Sequence, residues 1–146
     1  MIKRIYASLF GLYKENARLV LKIFGIKLKF RSPGINQLAD VCCIPDIETL
    51  KKNNVTFPHP VGIVINPSAK IGKNCVIYQN VTIGSGKYSE KYNCQVPIIG
   101  ENVTIYANSV VIGGIYVGKN SVIGAGSIVV RDVPENVIVA GNPAKI

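Results

Sequence analysis

An imidazole is the side chain best suited to take and return protons near neutral pH, and the chain holds a single one, His59. It sits in the string Phe57-Pro58-His59-Pro60-Val61-Gly62-Ile63-Val64-Ile65. A lone histidine cannot build a multi-histidine metal site, and the four cysteines, Cys42, Cys43, Cys75 and Cys94, include no C-x-x-C pair, so no metal is expected. Thiols spaced this way suit a reducing, cytoplasmic compartment. Cys75 takes a small repeat position, and none of the four has a neighbouring cation in sequence that would activate it.

The element that must position His59 is legible in the residues after it. Aliphatic side chains recur every sixth residue at Ile65, Ile71, Ile77 and Ile83, and again at Ile99, Ile105, Val111, Val117, Ile123 and Val129. The next residue is often glycine (Gly72, Gly84, Gly100, Gly118, Gly124), and the fourth after the aliphatic is small or β-branched. Six matches neither the helical period of 3.6 nor a hairpin array; it suits a short strand followed by a corner. Three such sides close a coil of eighteen residues, with the aliphatics inside and glycine easing the bends. The two registers are out of phase, so residues 85 to 98 are expected to loop out of the coil as a functional excursion. Counted back from Ile65, His59 falls on an interior position. With Phe57 interior and two residues inserted at the corner it points outward, and the flanking prolines favour that register.

The formal charge of +9 is concentrated at one end. Residues 1 to 34 carry eight Lys/Arg against the single acid Glu15. Apolar residues from Ile2 to Phe24 recur at three- and four-residue intervals with basic residues between them, which predicts an amphipathic helix over residues 2 to about 25. Two roles stand open for it: covering the end of the β-helix, or peripheral contact of residues 1 to 30 with an anionic membrane surface. The longest uncharged apolar run there, Ile5 to Tyr13, is too short to span a bilayer. Confinement of the charge to one segment, with no groove-reading or base-stacking motif, argues against a nucleic-acid partner. The chain is thus expected to be all-β with an N-terminal helix, divided into a basic segment at 1–34 and a β-helix domain at 35–146.

The runs HPVGIVIN, AKIGKNCVIYQNVTIG and VIGAGSIVV, then DVP and the closing AGNPAK (Ala140 to Lys145), resemble the serine acetyltransferase branch of the hexapeptide-repeat acyltransferases. Within that branch the pattern is most similar to short colanic-acid or capsule O-acetyltransferases. The resemblance implies a left-handed parallel β-helix, a homotrimer and acetyl-CoA as acyl donor. It also implies that His59 is the general base that deprotonates an acceptor hydroxyl as it attacks the thioester. The family places an aspartate about one coil earlier to orient the base, and Asp46 is the nearest candidate. In the serine-specific relatives an acid precedes the histidine and an Arg-His pair follows the loop; here those positions read Pro58, Gln95 and Val96. The acceptor implied is therefore a sugar hydroxyl in surface-polysaccharide synthesis, with L-serine as the alternative and a non-catalytic scaffold as a third reading.

Spacing adds candidates for the donor. Ala107 and Ala125 are eighteen residues apart and stack on one face, leaving a groove for a narrow pantetheine arm. Gly84, Ser85 and Gly86 open the loop where backbone N–H groups would approach the thioester oxygen. Lys145, in the closing motif, and Lys119 are candidates for the CoA phosphates.

Overall fold

The computed structural model describes residues 10–15, 18–23, 26–31, 44 and 46–146, in two units, Met1–Gln37 and Leu38–Ile146. Cys42 and Cys43 lie outside the described residues.

In the first unit β1 (Phe10–Glu15), β2 (Arg18–Ile23) and β3 (Ile26–Arg31) form an antiparallel sheet in that order. This overturns the helix expected over residues 2 to 25. The reason lies in a competing period: Ile26-Lys27-Leu28-Lys29-Phe30-Arg31 alternates apolar and basic residues, and Leu19, Leu21 and Ile23 continue that alternation in β2. Two is the strand period, and only two residues separate successive strands, a hairpin spacing. The end-capping and membrane-contact roles rested on a two-sided helix and lose that basis.

The second unit opens with α1 (Ile47–Lys52), whose N-cap is Asp46 and whose Leu50 is buried. Eleven short strands then build a parallel β-helix, and a twelfth closes a terminal hairpin. Face 1 stacks β4 (Val64–Ile65), β7 (Thr82–Gly84), β10 (Val110–Ile112) and β13 (Ile128–Val129). Face 2 stacks β5 (Lys70–Ile71), β8 (Ile98–Ile99) and β11 (Tyr116–Val117). Face 3 stacks β6 (Val76–Ile77), β9 (Thr104–Ile105), β12 (Val122–Ile123) and β14 (Ile138–Gly141), and β15 (Ala144–Lys145) folds back antiparallel on β14.

All ten aliphatics at the hexad positions face the interior, none more than 8% exposed, and Val133 and Val139 extend the column. Adjacent rungs pair in register: Val110 with Ile128 and Thr104 with Val122 are eighteen residues apart, whereas Val76 with Thr104 and Thr82 with Val110 are twenty-eight apart. The excursion between β7 and β8 therefore inserts ten residues into one coil.

The corners correct one expectation. The left-handed backbone positions fall mainly on asparagine rather than on the glycines that follow the aliphatics: Asn74, Asn80, Asn102, Asn108 and Asn120 all have φ between 56° and 61°. At the corner between faces 2 and 3 their side chains form a ladder: Asn54, Asn74, Asn102 and Asn120 each donate through Nδ2 to the next Oδ1, ending on Asn136, at 2.9–3.2 Å. Glycine serves close approach instead. A methyl at Gly118 would lie 2.5 Å from the backbone of Pro134 and Glu135 in the next coil. Beneath the ladder, Ser121 is fully buried and its hydroxyl donates to the Gly118 carbonyl at 2.6 Å.

Candidate active site

The string around His59 takes the outward register. Phe57 packs against the core, Ile63 and Ile65 are buried, and Pro58, His59 and Pro60 are exposed at the corner between faces 3 and 1. The proline pair keeps this stretch out of the strand ladder, since proline has no N–H to donate. Asn80 N–H reaches back to the Val61 carbonyl at 2.8 Å, tying this first rung to the coil above.

Above His59 the corner carries two tyrosines. The rings of His59 and Tyr78 have centroids 6.2 Å apart and planes at 46°, and Tyr78 stacks on Tyr106 at 5.0 Å and 23°. Sequence reasoning missed this column. Tyr78 and Tyr106 are twenty-eight residues apart, so the inserted loop hides their alignment from any count by eighteen. The usable signal was that each directly follows an interior isoleucine, Ile77 and Ile105. Higher on the same corner stand Ala107 and Ala125, one coil apart as their spacing predicts, with the Gly126 N–H donating to the Ala107 carbonyl at 2.9 Å. Gly126 has φ +68° and nothing within 4 Å of where a methyl would stand, so the corner is open there. Lys145 reaches the top of this corner, paired with Ala140 in the terminal hairpin.

The remaining candidates are placed elsewhere. Asp46 is committed to α1, its carboxylate accepting from the Thr49 N–H at 3.1 Å; those bonds to Thr49 hold the carboxyl below its ordinary value. It serves as a helix cap, and its carboxylate is bonded there rather than to His59. Lys119 lies on the asparagine corner, across the triangle from Ala107 and Ala125, in an exposed ion pair with Glu135 at 3.4 Å. Gly84, Ser85 and Gly86 sit at the other end of face 1 from His59, and the Gly86 N–H is already bonded to the Gln95 carbonyl at 2.9 Å. Within one chain they therefore do not assemble an oxyanion site beside His59. Cys75 is buried and bonded to the Gly100 carbonyl at 3.1 Å, and burial pushes its thiol up; the structure makes it a packing residue.

The excursion is ordered by a latch. Asp132, in the DVP run, accepts from Lys91 Nζ at 2.9 Å and from the Tyr92 hydroxyl at 2.8 Å through Oδ2, and from the Tyr116 N–H at 2.9 Å through Oδ1. Burial alone would raise the Asp132 carboxyl, but these three donors outweigh it and hold it below the ordinary carboxylate value. The loop is thus pinned to two successive coils. Val96 is buried, and Gln95 beside it is exposed and uncharged.

Residues 97–131 match the family of the bacterial transferase hexapeptide (six repeats). The serine acetyltransferase of Synechococcus elongatus is 44% identical over 93 residues, 63% of this chain and 37% of its own length. That of Bacillus licheniformis is 39% identical over 144 residues, 97% of this chain and 64% of its own. Neisseria gonorrhoeae serine acetyltransferase in complex with serine superposes with a TM-score of 0.58 at 39% identity, over 64% of this chain and 37% of that one. A serine acetyltransferase in complex with CoA gives 0.57 at 37% identity, over 63% and 36%. The chain thus spans between 36% and 64% of the lengths of these relatives. None of these four is a polysaccharide enzyme by name. In repeat, fold and sequence the chain is a hexapeptide-repeat parallel β-helix similar to part of the serine acetyltransferases.

Proposed function

We propose that this chain is an acetyl-CoA-dependent O-acetyltransferase with His59 as its general base. The observation that carries the reading is that the sole imidazole stands exposed at the foot of the corner that also bears the small residues Ala107, Ala125 and Gly126. From the His59 rung to Ala140 is four coil steps, about 19 Å at roughly 4.8 Å per strand spacing. That suits an extended pantetheine arm running up the corner towards Lys145, with the thioester at the imidazole. His59 takes the proton of the acceptor hydroxyl as its oxygen forms a bond to the thioester carbonyl carbon. The tetrahedral adduct then collapses, the carbon–sulfur bond breaks, and the CoA thiolate takes the proton back from the imidazolium. The products are an O-acetyl ester and CoA.

The named relatives support L-serine as the acceptor. A specific observation supports a second reading, a neutral sugar hydroxyl: no residue of this corner from His59 through Ala125 bears a formal charge, so a serine carboxylate would find no cationic partner among these residues. A homotrimer is proposed with either acceptor, since exposed Val61 and Val64 beside His59 and exposed Ile138 on face 3 present apolar surface that a neighbouring copy would cover. Release of CoA thiol from acetyl-CoA, measured with L-serine and with methyl pyranosides, tests both. His59→Ala is expected to lower the rate by a factor of about 10² to 10⁴ with the thermal midpoint unchanged. An unchanged rate rejects His59 as the base, and faster turnover with serine than with any pyranoside rejects the sugar.

A further inference from the structure

A general base works best when a second group fixes its ring and steadies the charge it acquires. The carboxylate expected to do this for His59 caps α1 instead, and the residue before the histidine is Pro58. What the structure sets against His59 is Tyr78, with ring centroids 6.2 Å apart, inside the range in which aromatic rings attract one another. Tyr78 is itself half-buried and clamped from its other side by Tyr106 at 5.0 Å. On the asparagine corner the matching positions, directly after the interior aliphatic, are Gly72, Gly100 and Gly118, where the next coil leaves no room for a side chain. On the His59 corner two of these positions carry tyrosine.

We infer that Tyr78, braced by Tyr106, is the positioning residue of the base: its ring holds the His59 imidazole at the corner and steadies the imidazolium formed during transfer. The π face of an aromatic ring attracts a cation, so the contact strengthens as His59 takes the acceptor's proton, when stabilisation lowers the barrier. The inference assigns this role to the aromatic ring and not to the hydroxyl, so phenylalanine must substitute for tyrosine and an aliphatic residue must not. This inference rests on the reading of His59 as base, but its first test does not.

Because the chain has one histidine, its two carbon-bound ring protons give one pair of signals in an NMR spectrum of the full chain. In the wild type these are expected to show cross-relaxation with the Tyr78 ring and an upfield ring-current displacement, retained in Tyr78→Phe and lost in Tyr78→Leu. In turnover, Tyr78→Leu is expected to lower kcat about five- to tenfold with both KM values within twofold of wild type, and Tyr78→Phe to restore it. Should Tyr78→Leu fail to fold, Tyr106→Ala, which removes only the brace, carries the test with an expected two- to threefold fall in kcat. Histidine signals that do not respond to Tyr78→Leu, or Tyr78→Phe as slow as Tyr78→Leu, overturn the inference. So does a change confined to KM, which would make Tyr78 a substrate wall. If His59→Ala retains full activity while the NMR contact is present, the base assignment fails and the contact stands as packing alone.

Discussion

Two corners of the same triangle turn with the same backbone and are furnished in opposite ways. The corner between faces 2 and 3 is a continuous run of five asparagines, each bonded to the next, with Lys73, Glu101, Lys119 and Glu135 around it. At the corner between faces 3 and 1 the ladder shrinks to one bond, Asn80 to Asn108 at 3.1 Å, with Gly62 and Gly126 taking the left-handed position at either end. From His59 through Ala125 this corner bears no formal charge, and beside the two asparagines it presents a histidine, two tyrosines and two alanines. The repeat needs corners that turn but does not need every corner filled. One corner is spent on stability, and the other is left open at Gly126 and carries the aromatic column beside the only imidazole.

Substitutions matched between the corners should break this contrast or sharpen it. The largest expected effect is on the filled corner: Gly118→Ala forces a methyl to within 2.5 Å of the next coil's backbone and should cost about 3 kcal/mol or prevent folding, as a thermal melt would show. Asn102→Ala removes two ladder bonds and places alanine in a left-handed backbone. A loss of about 2 to 3 kcal/mol is expected, or a fall of roughly 10 °C in Tm, with the rate per folded molecule unchanged. On the open corner Gly126→Ala meets no neighbour and should cost only about 1 kcal/mol for its φ, yet raise the KM for acetyl-CoA severalfold. If Gly126→Ala leaves that KM unchanged, the open corner is not the donor groove.

The smallest effect concerns the loop latch. The Asp132 carboxyl is held below its unfolded value, so its contribution is present above about pH 4 and is lost as pH falls through the folded value. Because Asp132 and Lys91 are both largely exposed, the contribution is a few tenths of a kcal/mol at most and weakens with salt. In Asp132→Asn the part of the acid destabilisation that depends on this carboxylate should be missing; an acid melt identical to wild type would refute the latch.

The contrast also explains what the residues revealed before the structure. The interior column was legible because burial repeats at every rung, so ten independent aliphatics report the same period. Ala107 and Ala125 were placed correctly because no insertion separates them. Tyr78 and Tyr106 were not, because a ten-residue loop between them breaks the count. The asparagines recurred three residues after the aliphatics, at Asn74, Asn80, Asn102, Asn108 and Asn120, but glycine drew the conformational argument that belonged to them. Asp46 was near His59 in sequence, and a single helical turn claimed it. The N-terminal strands were hidden by a patch of three- and four-residue spacing that the strict alternation of Ile26 to Arg31 contradicts.

The central claim is that the acyl donor lies along the corner that bears His59. Titration of the isotope-labelled full chain with CoA, followed through its backbone amide signals, tests it most directly. The account predicts shifts at Ala107, Ala125 and Gly126, with Asn74, Asn102 and Asn120 unmoved. Shifts centred on the asparagine corner, or none anywhere at saturating CoA, would contradict it.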